Sequence, residues 1–392
     1  MLLIYLLNFW LGQILPPSNM MLETILANNR PNVPTIPVVT QTAEVKTIGN
    51  NHPDADDPAI YVDRQNPSQS VVIGTYKQGG LRVYDLAGNE VQSISPNKIR
   101  YNNVDITYGV TYQSQLAGET ATVDLAIASD RRNDTIAIWQ INPQNNNQVE
   151  FASPPLVDVT SIDIPKTIFG IDDGEATAYG LTTYNSPIDG KTYVFVSQSD
   201  GNKIAQLELQ PRIGAADEFT VGAKIVRTIE IPVPKEINKE KAFVEGMVVD
   251  RDTGILYLAM EQFGILKLDA EPNSKPDLTV VALTKAFEPK SSLVSDVEGL
   301  VLDYGDNGQG YLIASSQGDN TFAVYQRAGE NSYLGSFKIK GVGATDGLDL
   351  TNIPLGEQYP AGLLVVQNGA QAKPDFKYVN LAKVRQAIRD FQ

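Results

Sequence analysis

The feature that most constrains the fold is a pattern of strand, short polar turn and strand that occurs six times along the chain. The six copies are SVVIGTYKQGGLRVYDL (70–86), VDLAIASDRRNDTIAIWQI (123–141), YVFVSQSDGNKIAQLEL (193–209), ILYLAMEQFGILKLDA (255–270), GYLIASSQGDNTFAVYQR (310–327) and GLLVVQNGAQAKPDFKYV (362–379). Their short runs of β-branched and aromatic residues are typical of strands. A repeat of ~50 to 70 residues built from such strands predicts an all-β, six-bladed β-propeller rather than a helical solenoid.

A further strand precedes each hairpin, and five of the six carry an acidic residue at or near their start. These strands are DDPAIYVD (56–63), NVDITYGV (103–110), AYGLTTY (178–184), VEGMVVD (244–250), VEGLVLD (297–303) and TDGLDL (345–350). In a propeller the first strand of each blade lines the central channel and the second runs antiparallel to it. The start of the first strand and the end of the second therefore lie at the same mouth of the channel.

This arrangement predicts a ring of carboxylates at one mouth. We expect the inner strands to contribute Asp56, Asp57, Asp105, Glu245, Glu298 and Asp346, with Tyr179 in the third blade, and the adjoining turns to add Lys77, Arg131, Glu261 and Gln317. So many converging carboxylates cannot all stay ionised without cations between them. Oxygen ligands favour calcium or magnesium, and calcium tolerates irregular coordination better. The glycines after three of the acids, Gly246, Gly299 and Gly347, are expected to serve the backbone.

Composition excludes several other kinds of chemistry. The chain of 392 residues has a formal net charge of −15, which argues against a nucleic-acid partner because that affinity requires clustered Lys and Arg. It has no Cys, so thiolate nucleophiles and thiolate metal sites are excluded. His52 is the only histidine, and we interpret it as an ordinary loop residue. Catalysis would therefore use carboxylates, Lys, Arg, Tyr and a metal.

The first 42 residues are set apart from the repeats. The run MLLIYLLNFWLGQILPP has about the length of an export signal but no preceding positive charge, and it is too short for a confident membrane span. The stretch NNRPNVPTIPVVTQT (28–42) is Pro-rich and polar, as linkers are. We therefore divide the chain into a leader and linker (1–42) and a propeller domain (43–392). We expect a secreted, periplasmic or envelope-associated protein; a membrane-apposed leader is the alternative.

Specific strings in these blades resemble the motifs of the β-propeller phytases, also called alkaline phytases. They are DADDPAIY, NNVDITY, the pair Tyr179 and Gly180, VEGMVVD, DVEGLVLD, GYLIASSQG and TDGLDL, in order from about Asn51 to near the C-terminus. The resemblance implies a calcium-dependent phosphatase that releases phosphate from phytate, myo-inositol hexakisphosphate, with several calcium ions. It implies a small-molecule substrate, bound as its calcium complex, and we expect a monomer.

The resemblance also implies roles for individual residues. Calcium ligands would be Asp56, Glu245, Glu261, Asp296, Glu298, Gln317 and Asp346, to which we add Asp57, Asp105 and Asn368. Glu245, Glu261 and Tyr179 would act at the reaction centre, with Tyr179 near both calcium and phosphate. Lys77 and Arg131 would contact phosphate oxygens, the arginine by a two-pronged fork.

This sequence departs from the family at two expected lysines. Gln78 follows Lys77 where a second lysine is common, and Ser199 stands in the third-blade turn. Lys203, four residues further on, is a candidate substitute for phosphate binding. Two other functions remain open at this point: a calcium-dependent esterase or lactonase, since fold does not fix function, and a calcium-stabilised binding propeller without catalysis.

Overall fold

Strands and one α-helix are found in the part of the chain that the structure describes. The computed structural model describes residues 37–39, 54–113, 120–142, 155–170, 177–214, 218–238, 241–370 and 374–391, and the backbone of 43–44. His52 and the predicted export signal lie outside these residues. In the described residues, no helix is both long enough and apolar enough to cross a membrane.

The first three blades are four-stranded antiparallel sheets that follow two short N-terminal strands. The N-terminal strands are β1 (Val38–Val39) and β2 (Ala43–Glu44). Blade one contains β3 (Ala55–Tyr61), β4 (Val71–Tyr76), β5 (Gly80–Tyr84) and β6 (Glu90–Ile94). Blade two contains β7 (Tyr101–Gln113), β8 (Thr120–Asp130), β9 (Thr135–Ile141) and β10 (Leu156–Asp158). Blade three contains β11 (Ala178–Asn185), β12 (Thr192–Gln198), β13 (Lys203–Ile213) and β14 (Phe219–Glu230).

The last three blades complete the ring. Blade four contains β15 (Val244–Asp250), β16 (Ile255–Met260), β17 (Gly264–Asp269) and β18 (Thr279–Leu283). Blade five contains β19 (Val297–Tyr304), β20 (Gly310–Ser316), β21 (Thr321–Gln326) and β22 (Tyr333–Ile339). Blade six contains β23 (Leu348–Thr351), β24 (Leu363–Asn368) and β25 (Asp375–Asn380). All six predicted hairpins and all six preceding strands are present, so the prediction of a six-bladed β-propeller is confirmed.

The N-terminal strands complete the outer edges of the last two blades. Strand β2 pairs antiparallel with β25 and supplies the fourth strand of blade six. Strand β1 pairs in parallel with β22 and gives blade five a fifth strand. Closure by a distant chain segment covers exposed sheet edges, which would otherwise template aggregation. Because β1 falls within the predicted linker, part of that linker packs on the propeller; the domain boundary at residue 42 stays a prediction.

The C-terminal helix packs against the outer strands of this same region. Helix α1 (Leu381–Arg389) begins after Asn380, whose side-chain oxygen accepts a hydrogen bond from the Ala382 N–H at 3.0 Å. This N-cap satisfies one of the free donors of the first turn. The helix buries Leu381, Val384 and Ile388 in the cluster that joins blades five and six.

The hydrophobic core lies mainly between adjacent blades. Ile127 and Ile138 of blade two, for example, share one buried cluster with Val194 and Val196 of blade three. Near the mouth, five blades also hydrogen-bond to the neighbouring blade. In each of them the donor is the side chain of the second-last residue of the second strand, and the acceptor is a backbone carbonyl in or just before the inner strand of the neighbouring blade. These donors are Thr75, Ser129, Ser197, Ser315 and Gln367, and their acceptors are the backbone carbonyls of Asn102, Tyr179, Val244, Thr345 and Ala55. The inner strands are therefore fixed relative to one another at the mouth.

Glycines allow these inner strands to approach closely. A Cβ on Gly246 would lie 2.1 Å from the Glu298 carbonyl oxygen, and a Cβ on Gly299 would lie 2.9 Å from the Asp346 carbonyl oxygen. A Cβ on Gly347 would lie 2.1 Å from Asp57 Oδ1. The prediction that the backbone requires these glycines is confirmed, because a side chain at any of them would displace the adjacent blade.

Candidate active site

A first ring of side chains is set by irregularities at the start of the inner strands. In five blades the pairing of the first two strands shifts register directly after the first residue of the inner strand, as between Ala55 and Pro58. The residue that follows the first position therefore lies in a β-bulge, which turns its side chain away from the normal alternation. The residues at this position are Asp56, Asn102, Tyr179, Glu245 and Glu298, and Asp346 is their equivalent in blade six.

A second ring comes from the residue directly after each second strand. It consists of Lys77, Arg131, Ser199, Glu261, Gln317 and Gly369. In the first five blades this residue donates its backbone N–H to the carbonyl of the residue just before the inner strand, as Lys77 does to Asp54 at 3.0 Å and Arg131 to Arg100 at 2.8 Å. The repeated hydrogen bond places the two rings side by side at one mouth, as the sequence predicts.

Three glutamates form the centre of this mouth. Carboxylate oxygens of Glu245, Glu261 and Glu298 lie within 4.8 Å of one another, and all three residues are buried. The Tyr179 hydroxyl donates to Glu245 Oε2 at 2.6 Å and lies 3.3 Å from Glu261 Oε1. Asn102 donates from Nδ2 to Glu245 Oε1 at 3.0 Å, from a blade that is not adjacent. Glu245 therefore reaches across the channel.

Lys77 and two carboxylates occupy the opposite part of the mouth. Lys77 Nζ lies 2.9 Å from Asp56 Oδ1 and 3.6 Å from Asp346 Oδ2. Gln317 donates from Nε2 to Asp346 Oδ1 at 2.7 Å. The Asp56 carboxylate raises the pKa of Lys77 above its ordinary value, so this lysine stays charged. It neutralises only part of the acidic ring.

Burial and like charge raise the carboxyl pKa values throughout the ring. Burial, followed by the charges of Glu245 and Asp296, raises the pKa of Glu261 to about 9. Burial raises the pKa of Asp56 to about 7 despite the nearby Lys77 ammonium. Burial, followed by the Glu245 charge, raises the pKa of Asp346 to about 6. Burial raises the pKa values of Glu245 and Glu298 as well. This ring is electrostatically costly unless cations are bound to it.

Arg131 lies beside the glutamate centre. Its guanidinium carbon is 5.2 Å from the centroid of the Tyr179 ring, and Nη2 lies 3.4 Å from Asp200 Oδ2. The same tyrosine ring packs edge-on against Phe243, with centroids 6.1 Å apart. The Arg131 guanidinium therefore lies over the ring of Tyr179, whose hydroxyl contacts Glu245 and Glu261.

Asp296 lies just before β19. Its Oδ1 accepts a hydrogen bond from Gln262 Nε2.

The structure corrects the predicted position of Asp105. This residue lies three positions beyond the mouth residue Asn102, and its Oδ2 accepts hydrogen bonds from Thr182 Oγ1, Thr183 N and Thr183 Oγ1 at 2.7–3.0 Å. Asp105 is thus inside the channel, where neutral donors satisfy it. The prediction was wrong because it assumed an acid at the mouth in blade two. The distance to the following hairpin could not have identified Asn102, because Asp56 lies 14 residues before its hairpin (70–86) whereas Asn102 lies 21 residues before its own (123–141).

Three further predicted residues lie near the ring with other contacts. Asp57 Oδ2 accepts from Val104 N at 3.0 Å, so Asp57 connects blades one and two. Asn368 is buried, and its Oδ1 accepts from Gly343 N at 3.1 Å. Lys203 is exposed at the first residue of β13, and in the described part of the chain no hydrogen bond or ion pair joins it to the ring. Their predicted roles in binding stay predictions.

Comparisons with known proteins identify the family of this chain. A family model described as Phytase matches residues 7–392. A 3-phytase from Bacillus subtilis (strain 168) is 32% identical over 364 residues, which cover 89% of this chain and 85% of that protein.

Solved structures that resemble this chain include two with low sequence identity. The β-propeller domain of Cps50 (Swd1) from Myceliophteria thermophila has a TM-score of 0.42 at 10% identity, over 81% of this chain and 82% of that one. Sqt1 from Saccharomyces cerevisiae has a TM-score of 0.43 at 10% identity, over 86% and 99%. Neither similarity bears on the chemistry. On the family match and the sequence identity, the chain belongs to the phytase family, and the prediction that it is a 3-phytase that hydrolyses phytate is confirmed.

Proposed function

We propose that this phytase depends on calcium, and that several calcium ions bind at the mouth and hold the substrate there. The observation that carries the proposal is the group of three buried glutamates whose oxygens lie within 4.8 Å of one another. Three carboxylates this close repel one another strongly in a poorly solvated site. A divalent cation removes that repulsion and allows all three to be ionised at neutral pH.

The residues at the mouth suit calcium for two reasons: their candidate ligand atoms are oxygens, and two of these oxygens are buried without a hydrogen-bond partner among the described residues. Asp56 Oδ2 and Glu298 Oε2 are buried and have no hydrogen-bond partner among the described residues. Buried polar atoms without partners are rare and require an explanation. All candidate ligands are oxygens, which hard cations prefer. We assign calcium binding to Asp56, Glu245, Glu261, Asp296, Glu298, Gln317 and Asp346, with Tyr179 beside them.

The chain's own residues position the phosphate to be cleaved. Calcium supplies charge neutralisation and lowers the pKa of bound water. Tyr179 orients Glu245 and Glu261 through its hydroxyl, and its ring supports the Arg131 guanidinium. Arg131 and Lys77 donate to phosphate oxygens, since charge-assisted hydrogen bonds favour anionic ligands. Because Lys77 already neutralises Asp56 and Asp346, Arg131 contributes more of the net positive charge that the substrate meets.

The test compares phosphate release from phytate in calcium, in magnesium and after chelation. Calcium should support turnover and raise the melting temperature, because binding to the native state adds stability in proportion to RT ln(1 + [L]/Kd). Turnover and melting temperature that are both unaffected by a chelator would refute calcium dependence. The variant Glu261→Gln and the exposed-site control Glu357→Gln separate a ring effect from a general loss of charge.

Two further parts of the proposal concern the oligomeric state of the protein and its location in or outside the cell. We propose that the protein acts as a monomer on a calcium complex of phytate, and that it is secreted, periplasmic or attached to the cell envelope. Sedimentation measurements and fractionation of producing cells test these two points. An esterase or lactonase would not require Lys77 and Arg131 beside the acids, so no observation favours that alternative.

A further inference from the structure

We propose that this protein binds inorganic phosphate, the small oxyanion that its own reaction releases, at the end of the central channel opposite the active-site mouth. Arg64 and Arg251 bind the anion there. The inference goes beyond the proposed function and does not depend on calcium at the mouth. It rests on a cavity at this end, on an Arg–Tyr arrangement that occurs twice in its walls, and on the lack of an ion-pair partner for either arginine among the described residues.

A cavity lies at the end of the channel where the inner strands finish. These strands begin at the mouth, and they end at residues such as Tyr61, Asp250 and Tyr304. The cavity at this second end has a volume of about 240 Å³, and all six blades contribute to its walls. That volume equals about eight molecules of liquid water. It is therefore large enough for a phosphate ion with part of its hydration shell.

Two arginines in the cavity are each stacked on a tyrosine of the next blade. The guanidinium carbon of Arg64 lies 4.6 Å from the centroid of the Tyr108 ring, and that of Arg251 lies 4.1 Å from the centroid of the Tyr304 ring. All four residues line the cavity. Stacking on an aromatic ring uses the face of a guanidinium, whereas an oxyanion binds to its N–H donors. The arginines are therefore positioned for an anion before it arrives.

The two tyrosines occupy equivalent positions in the repeat. Each lies six residues after the bulge residue of its inner strand, which is Asn102 in blade two and Glu298 in blade five. Each hydroxyl donates to a backbone carbonyl of the preceding blade and accepts from the N–H two residues further on. These contacts join Tyr108 to Ile60 O at 3.4 Å and Val62 N at 3.0 Å, and Tyr304 to Val249 O at 3.5 Å and Arg251 N at 3.1 Å. Both rings are therefore fixed by the fold.

This repetition places the two arginines on opposite walls of the cavity. Neighbouring inner strands contact one another in sequence order around the ring, so blades one and four are half a turn apart. Arg64 follows the inner strand of blade one, and Arg251 follows that of blade four. Guanidinium groups bind phosphate through pairs of N–H donors. An anion in the cavity can therefore be bound from two sides.

Neither arginine is neutralised by a neighbouring acid. Both side chains are exposed, and in the part of the chain that the structure describes no ion pair or side-chain hydrogen bond involves Arg64 or Arg251. The acid that precedes each of them is engaged elsewhere. Asp63 accepts from two backbone N–H groups of the following turn at 2.9 and 3.0 Å, and Asp250 is paired with Arg327 at 2.6 Å. An anion therefore displaces no existing ion pair when it binds to these arginines.

Carboxylates further inside the channel limit an anion to this end. Asp105 and Asp349 also line the cavity. The two oxygens of Asp349 accept hydrogen bonds from Ile60 N and Leu350 N, each at 2.7 Å. Negative charge at these positions disfavours the passage of an anion towards the mouth. The phosphate bound here is therefore distinct from any phosphate bound at the mouth.

The test measures the binding of radiolabelled inorganic phosphate to the full chain in calcium by equilibrium dialysis, at concentrations too low to precipitate calcium phosphate. Arg64→Ala and Arg251→Ala should each weaken binding at this site by about tenfold or more, the typical effect of losing a charge-assisted hydrogen bond. The double variant should bind one phosphate fewer per chain than the parent. Its KM and kcat for phytate should stay within about twofold, because the mouth lies at the other end of the channel.

Arg212→Ala is the matched control, because Arg212 is exposed at the same end of blade three but does not line the cavity. It should leave phosphate binding unchanged, whereas Arg251→Lys, which keeps the charge but loses the fork, should bind with intermediate affinity. If the double variant binds phosphate as the parent does, or if Arg212→Ala weakens binding as much as Arg64→Ala, the assignment is wrong.

The phytate measurements distinguish this site from the mouth. A loss of phosphate binding that is matched by an equal rise in the KM for phytate would place the anion at the mouth and overturn the proposal. Each variant is checked by its melting temperature in calcium. Arg64→Gln and Arg251→Gln replace any alanine variant that fails to fold, under the same criteria.

Discussion

Replacing Glu261 with Gln should make the protein more stable without calcium and less stable with it. The pKa of Glu261 is raised from 4.5 to about 9 by burial and by the neighbouring carboxylates. A carboxyl group whose pKa is higher in the folded protein than in the unfolded chain lowers the stability of the fold as pH rises from the unfolded pKa to the folded pKa. The reason is that, in this range, the folded protein keeps the proton that the unfolded chain releases. At pH 7.5 the folded protein without calcium must therefore keep a proton that the unfolded chain has released.

The size of the effect follows from that difference. Between an unfolded pKa of 4.5 and pH 7.5 the penalty reaches about 4 kcal/mol, at ~1.4 kcal/mol for each pH unit. Glutamine keeps the size of the side chain and cannot titrate, so the variant avoids most of this penalty. After chelation its melting temperature should rise by several degrees at pH 7.5 and by nothing near pH 4. In calcium the order should reverse, because the variant lacks one charged ligand.

The assay is thermal unfolding at pH 4 and pH 7.5, with calcium or with a chelator, alongside phosphate release from phytate. Activity of Glu261→Gln in calcium should fall by about 100-fold or more, as is typical when one preorganised electrostatic group is removed from a reaction centre. Glu357→Gln, at an exposed position, should change neither property. A variant that is less stable than the parent in both conditions would show that Glu261 stabilises the fold as a hydrogen-bond acceptor rather than as a metal ligand.

Three other predictions concern the same mouth. Tyr179→Phe keeps the ring but removes the hydroxyl that donates to Glu245 at 2.6 Å. The kcat for phytate should therefore fall by about tenfold, while the melting temperature in calcium should change by no more than a few degrees. An unchanged kcat would contradict this prediction. Gly246→Ala would place a Cβ 2.1 Å from the Glu298 carbonyl oxygen, and calorimetry should find it destabilised by about 2 kcal/mol or more in calcium and in chelator alike. Because the pKa of Asp56 is raised from 3.8 to about 7, the chelated protein should lose stability as pH rises from about 4 to 7, by up to ~4 kcal/mol from this residue, and saturating calcium should flatten that slope. A melting temperature that rises with pH after chelation would oppose the last of these.

Much of the fold follows from local patterns in the sequence. Short runs such as VVIGTY and LRVYDL are recognisable as strands because their β-branched and aromatic residues suit a pleated, buried surface. Six repeats of similar spacing then leave few architectures other than a ring of blades. The N-terminal closure was not predicted, because pairing between β1 or β2 and the last blades joins segments hundreds of residues apart and leaves no local signal.

The site, like the fold, could be predicted in part from the sequence, and the rest depended on the tertiary structure. The sequence by itself determined that acids recur at the start of inner strands, which is enough to assign Asp56, Glu245 and Glu298 to one mouth. Only the tertiary structure decided that Asn102, and not Asp105, completes this ring in blade two. A bulge adds one residue to the strand and redirects the side chains around it, which the simple alternation of a strand cannot reveal. Contacts such as that between Asn102 and Glu245 join residues 143 positions apart, and they form only when closure of the ring brings separate blades to a common axis.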